Sequence, residues 1–121
     1  MKRVLIIEDE KPLRDVYALI LEKEGFKVNT AENGKVGIKK LHDFKPDLII
    51  LDILMPVMDG IGFLKTANLL INYPKTKTII VSNLSDAISR SDSKKYGVVH
   101  SFIKVSLSPT DLASVAKQYS A

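Results

Sequence analysis

An α/β fold, with helices on both faces of a parallel sheet, is what this sequence predicts, and three observations predict it. Strand-like and helical segments alternate strictly, five of each, along 121 residues. Three of the strand segments are continuous apolar runs, the pattern of strands buried on both faces. The intervening segments repeat apolar residues at three- and four-residue spacing, as helices with one buried face do. Right-handed crossovers then bring every strand's C-terminal end to one edge of the sheet. Ligands of such folds bind outside that edge.

The elements follow in order. Val4-Leu5-Ile6-Ile7 is the first apolar run. Leu13, Val16, Tyr17, Ile20 and Leu21 form the first helical stripe, with Pro12 near its start and Gly25 past its end. Val28-Asn29-Thr30-Ala31 is more polar and reads as an edge strand. Asn33-Gly34 opens the second helix, whose stripe is Ile38, Leu41 and Phe44. Leu48-Ile49-Ile50-Leu51 is the second apolar run. Asp59 is a candidate N-cap for a third helix carrying Phe63, Leu64, Ala67, Leu70 and Ile71. Ile79-Ile80-Val81 is the third apolar run. The fourth helix, from Ala87-Ile88 to Tyr96, is weak: Ser85, Ser89, Ser91 and Ser93 are mediocre helix formers and few apolar positions anchor it. Val98 to Ile103 is mixed and reads as the other edge strand. Ser108-Pro109-Thr110-Asp111 is a strong start signal for the fifth helix, with Leu112, Val115, Ala116 and Tyr119 as its stripe.

Composition narrows the class. The length suits one domain over residues 1–121, and a chain of this size buries roughly two-thirds of its unfolded surface. There is no Cys, which removes disulfides, thiolate metal sites and cysteine catalysis. At 45% hydrophobic the chain is too apolar for disorder, and its apolar runs are too short for a membrane span. Lys2 and Arg3 precede a short apolar run that ends at once in acids, which is not a signal peptide, so a cytoplasmic location is expected. The net charge of +4 comes from scattered basic residues without interleaved aromatics, which argues against a nucleic-acid surface. His42 and His100 read as surface or edge residues.

The residues that end the strands carry the chemistry. The first run ends in Glu8-Asp9, the third strand in Asp52, the fourth in Ser82 and the fifth in Lys104. Taken singly, each has an ordinary reading as a turn, cap or surface residue. Taken together, they place three carboxylates, a hydroxyl and an ammonium at one edge. Two like charges 4 Å apart repel by about 4 kcal/mol at an effective dielectric near 20, so the acids need a cation or a proton. An all-oxygen donor set suits Mg²⁺ or Mn²⁺, and Mg²⁺ commonly joins carboxylates to a phosphate oxygen. Lys104 can neutralise a second phosphoryl oxygen and Ser82 can hydrogen-bond another. The nucleophile is then a carboxylate, with Asp52 the best candidate and Glu8 and Asp9 the metal binders.

These residues resemble those of the receiver domains of bacterial response regulators, the CheY-like family. The resemblance runs from Lys2 to about Tyr119. It rests on Asp52 followed by Met55-Pro56 and Asp59-Gly60, on Glu8-Asp9, Asn33-Gly34 and Lys45-Pro46-Asp47, and on Lys104. It implies a doubly wound, flavodoxin-like sheet of five parallel strands in order 2-1-3-4-5 with five helices. It implies that Asp52 accepts a phosphoryl group from a phosphohistidine on a sensor histidine kinase or phosphotransfer protein. It further implies that Asp9, Asp52 and the Leu54 carbonyl ligate Mg²⁺ directly, with Glu8 acting largely through water. Ser82 and Lys104 would contact the phosphoryl group. The face made by the fourth helix, fifth strand and fifth helix would signal to a downstream protein.

Three positions depart from the family pattern. Val105 stands where the family has a proline in a cis peptide. Ser101 stands at the switch-aromatic position, and strand alternation points its neighbour Phe102 to the opposite face. Leu54 and Leu84, two residues after Asp52 and Ser82, are apolar at positions whose side chains influence self-dephosphorylation in the family. A long-lived aspartyl phosphate is therefore expected. The leading reading is a stand-alone, non-enzymatic receiver with no output domain. The alternative is a degenerate receiver acting as a constitutive protein-binding module. A phosphatase with an Asp nucleophile ranks last, because Leu54 occupies the place of the second Asp that such enzymes need.

Overall fold

The wholly apolar runs take the centre of the sheet. The computed structural model describes residues 1–84 and 88–121. Its sheet has five parallel strands: β1 (Arg3–Ile7), β2 (Lys27–Ala31), β3 (Leu48–Leu51), β4 (Lys77–Ser82) and β5 (Val98–Ile103). They lie in the order β2-β1-β3-β4-β5. The apolar runs form β1, β3 and β4 at the centre, and the two more polar segments form the edges, as their sequences require.

Alternation along the strands divides the core between the two faces. Leu5, Ile7, Ile49, Leu51 and Ile80 join Leu41, Phe44, Phe63 and Leu64 on one side. Val4, Ile6, Leu48, Ile50, Ile79 and Val81 join Tyr17, Leu21, Leu112 and Ala116 on the other. Fully burying each Leu or Ile contributes about 1.5–3 kcal/mol, so these two layers dominate the stability.

The helices are α1 (Lys11–Lys23), α2 (Gly34–Phe44), α3 (Gly60–Ala67), α4 (Arg90–Tyr96) and α5 (Pro109–Ser120). Asn33 caps α2 by accepting from the Val36 N–H, and Asp59 caps α3 by accepting from the Gly62 N–H. Ser108 and Asp111 close a complete capping box on α5. In α1, Tyr17 and Leu21 are buried, whereas Val16 lies outside the buried stripe the spacing suggests.

Two helices differ from the sequence expectation. The third stripe is not one continuous helix. Asn68 adopts the left-handed conformation at φ 48°, ends α3, and starts a separate turn over Leu69–Asn72. That break leaves Leu70 and Ile71 exposed, although their spacing placed them on the buried stripe. The fourth helix begins at Arg90, capped by Ser89, and stops at Gly97 in the left-handed region. None of its seven residues is buried. The expected start at Ala87, and Ser85 before it, fall outside the described residues.

Candidate functional site

Every candidate residue leaves the sheet at the same edge, because all five strands run parallel. Beyond β1 the Glu8 N–H still donates to the Ala31 carbonyl of β2, which holds the chain in line and turns the Glu8 side chain inward. Glu8 is 2% exposed. Its Oε2 accepts from the Glu10 N–H at 3.1 Å. Arg14 of α1 donates to the Glu8 and Asp9 carbonyls, at 2.8 and 3.3 Å, and fixes the turn between strand and helix. Beyond β3 the Asp52 N–H donates to the Ile7 carbonyl. Asp52 is buried, with Oδ1 accepting from the Ile53 N–H at 2.8 Å.

Lys104 joins the two strand ends. Its Nζ lies 2.9 Å from Asp52 Oδ2 and 2.7 Å from Glu8 Oε1, with Glu10 Oε1 at 4.0 Å. Burial raises the Glu8 carboxyl to about 7, against the opposing pull of its bonds to Lys104 and the Glu10 N–H. Burial works to lower Lys104, but its bonds to Glu8 and Asp52 prevail and hold it protonated, above the usual lysine range. The lysine thus supplies the cation that clustered carboxylates require.

The loop from Asp52 to Gly60 is tightly folded. The Gly60 N–H donates to the Ile53 carbonyl, and a Cβ at Gly60 would lie 2.4 Å from the Asp52 carbonyl oxygen. Only glycine fits that approach. Val57 has φ 69°, and the Met58 N–H reaches back to the Pro56 carbonyl at 2.8 Å, a γ-turn centred on a β-branched residue. Leu54, within the same loop, is 61% exposed.

Ser82 ends β4 beside Ile103 of β5 and is 1% exposed. Its Oγ accepts from the Leu84 N–H at 3.2 Å, which leaves its own proton to donate elsewhere. After Lys104 the chain makes a single 3₁₀ turn, Lys104–Ser106, and among the described residues no peptide bond is cis. Ser101 is exposed opposite Ile80, while Phe102 packs with the core on the α1 and α5 side and stacks on His100 at 4.3 Å. The alternation read from the sequence therefore holds for this pair. His42 and His100 are both exposed.

The structure brings Glu8, Asp52 and Lys104 into direct contact and sets Asp9 and Ser82 at the same edge. Two participants escaped the sequence reading. Glu10 joins Glu8 and Asp9 in a group whose carboxylate oxygens lie within 4.8 Å of one another. The only sequence signal for it was its place directly after the acidic pair. Asn83 accepts from the Val105 N–H across 22 residues of chain, and nothing in the sequence announced it. The donor set is all oxygen, crowded and acidic, which fits a hard divalent cation.

Comparison with known proteins decides the family. The description "Response regulator receiver domain" matches residues 4–117. The chain belongs to this family. Among relatives of this receiver domain, a protein-glutamate methylesterase/protein-glutamine glutaminase of Archaeoglobus fulgidus is 36% identical over 119 residues, 96% of the chain and 33% of the relative. A probable C4-dicarboxylate response regulator, DctR, of Halalkalibacterium halodurans is 36% identical over 104 residues, 84% of the chain and 44% of the relative. The chain therefore spans less than half the length of these curated relatives. Among solved structures, a CheY-like receiver domain of Methanospirillum hungatei superposes with a TM-score of 0.84 at 29% identity, covering 99% of this chain and 94% of the other. The response regulator TrrA of Thermotoga maritima, in complex with Mg²⁺-BeF, gives a TM-score of 0.81 at 30% identity, covering 98% and 99%. The receiver fold, its strand order and its place in two-component signalling are thereby established for this chain. Receiver domains are generally not enzymes in themselves. No described helix is long and apolar enough to cross a membrane.

Proposed function

We propose that Asp52 accepts a phosphoryl group from a phosphohistidine on a sensor histidine kinase or phosphotransfer protein, and that this receiver then changes its binding to a downstream protein. The observation that carries the reading is the Lys104 ammonium held between the buried Asp52 and Glu8 carboxylates. In the transfer, an Asp52 oxygen forms a bond to phosphorus as the phosphorus–nitrogen bond of the donor breaks. The leaving imidazole keeps the electron pair and takes up a proton. Lys104 can neutralise one phosphoryl oxygen, and the Ser82 hydroxyl, whose oxygen accepts from the Leu84 N–H, can donate its proton to another. Asp9, Asp52 and the Leu54 carbonyl would hold Mg²⁺ or Mn²⁺ directly and Glu8 through water. When bound, such an ion offsets negative charge on the donor phosphate and the acids.

The output face would be α4, β5 and α5. An element with no buried residue is easily displaced, as α4 must be if it is to report the state of Asp52. A histidine kinase or phosphotransfer partner fits a cytoplasmic setting.

Intact mass spectrometry after incubation with Mg²⁺ and acetyl phosphate tests the reading. A phosphate adduct on the wild type that is lost in Asp52→Asn supports it. No adduct with any small donor would instead favour the constitutive binding module, a reading that Ser101 at the switch position also favours. Repeated release of phosphate from an external substrate would make the chain an enzyme.

A further inference from the structure

The Lys104 side chain is held over Asp52 and Glu8, but the loop that carries it has little to anchor it. Val105 is 82% exposed, and the Lys104–Ser106 turn is closed by one backbone bond, from the Leu107 N–H to the Lys104 carbonyl. In a 3₁₀ turn the first N–H groups have no partner inside the turn. The Val105 N–H is one of these, and it donates to Asn83 Oδ1 at 2.9 Å. Asn83 directly follows Ser82, and Val105 directly follows Lys104. One hydrogen bond therefore spans the two loops that present the hydroxyl and the ammonium.

We infer that Asn83 is a positioning residue that locks the Ser82 loop to the Lys104 loop, so that both groups keep a fixed relation to Asp52. The backbone beside it is already set: Ser82 and Ile103 are paired in the sheet, and Ser82 Oγ is engaged by the Leu84 N–H. The Asn83 amide extends that order one residue past β4 and two residues past β5. A chain with proline after the lysine has no N–H at that position, so this lock requires a residue other than proline there, as Val105 is here. The same bond makes any inward movement of Ser82 pull on the Lys104 loop.

The inference rests on the phosphoacceptor reading for its consequence, although the bond itself can be measured without it. Asn83 is exposed, so its replacement leaves the core intact. Amide hydrogen exchange at Val105 is followed by NMR in the wild type, Asn83→Ala and Asn83→Asp. The rate of Asp52 phosphorylation by acetyl phosphate is followed in the wild type, Asn83→Ala, Val105→Pro and the double variant. Loss of one such bond should speed exchange at Val105 and slow phosphorylation by about fivefold each. Asn83→Asp, which keeps the acceptor oxygen, should restore slow exchange. In the Val105→Pro background, Asn83→Ala should have no further effect on the rate. Unchanged exchange at Val105 overturns the inference. So does an unchanged phosphorylation rate in Asn83→Ala, or an equal loss of rate in both backgrounds. If the wild type takes no phosphate, the phosphoacceptor reading falls, and the exchange data alone decide whether the loops are locked.

Discussion

Lys104 Nζ lies 2.7 Å from Glu8 Oε1, with the two side chains only 11% and 3% exposed, and the same ammonium serves Asp52. One cation is thus shared between two buried carboxylates. Burial lifts Glu8 to about 7 in the fold, whereas an unfolded chain titrates near 4.5. Between these values the native state holds a proton that the unfolded state has released. Stability therefore falls as pH rises through this window and levels off above about 7. Urea denaturation in EDTA from pH 4.5 to 8 should show the wild type losing more stability than Glu8→Gln across this window. Parallel curves would show that Glu8 does not titrate there.

Removing the shared cation should cost far more than an exposed ion pair would. Lys104→Met leaves two dry carboxylates facing each other, and breaking a buried pair this way costs about 3–5 kcal/mol. The loss should be greatest near pH 8 and smaller near pH 5, where Glu8 can take up a proton. Added Mg²⁺ should recover part of it at pH 8. A loss below about 1 kcal/mol at pH 8, the range of exposed pairs, would mean that the lysine is not bearing this charge.

The sheet was legible from sequence because its central strands carry continuous apolar runs and the edge strands do not. The caps Asn33, Asp59 and Ser108 were legible because capping depends on local spacing alone. The break at Asn68 was not, since Leu70 and Ile71 keep helical spacing and only the left-handed backbone at Asn68 excludes them from the core. At the site, parallel crossovers let Glu8, Asp52 and Lys104 be placed together from the strand ends. Asn83 depends on where two loops meet beyond the sheet, and no local pattern encodes a contact between residues 22 apart.

Val57 holds φ 69° although its side chain branches at Cβ, and it is 76% exposed. Strain of this kind costs about 1–3 kcal/mol, and little burial offsets it. Val57→Gly relieves the strain but adds entropy to the unfolded chain, so the net gain should be about 1 kcal/mol. Thermal or urea unfolding measures it. Destabilisation by the glycine would mean that the valine makes contacts that outweigh its strained backbone.

Thr78 is fully buried in β4, and its Oγ1 is the one buried side-chain polar atom without a hydrogen-bond partner among the described residues. Valine has nearly the same shape and no hydroxyl to leave unpaired. Thr78→Val should stabilise the fold by about 1 kcal/mol, the lower end of the cost of an unsatisfied buried group. A destabilised variant would show that the hydroxyl has a partner.

Leu54 and Leu84 follow Asp52 and Ser82 by two residues each and are 61% and 44% exposed. Hydrolysis of an aspartyl phosphate requires a water molecule aligned with the bond that breaks, and a side chain aligns water only through a donor or an acceptor. Neither leucine has one; Leu54 stands on the loop after Asp52 and Leu84 on the loop after Ser82. Once Asp52 is phosphorylated, loss of label should take minutes or longer. Leu54→Asn, which introduces an amide at the same position, should shorten that lifetime, whereas Leu54→Met should not. Loss of label within seconds from the wild type would refute this, as would equal lifetimes for the two variants.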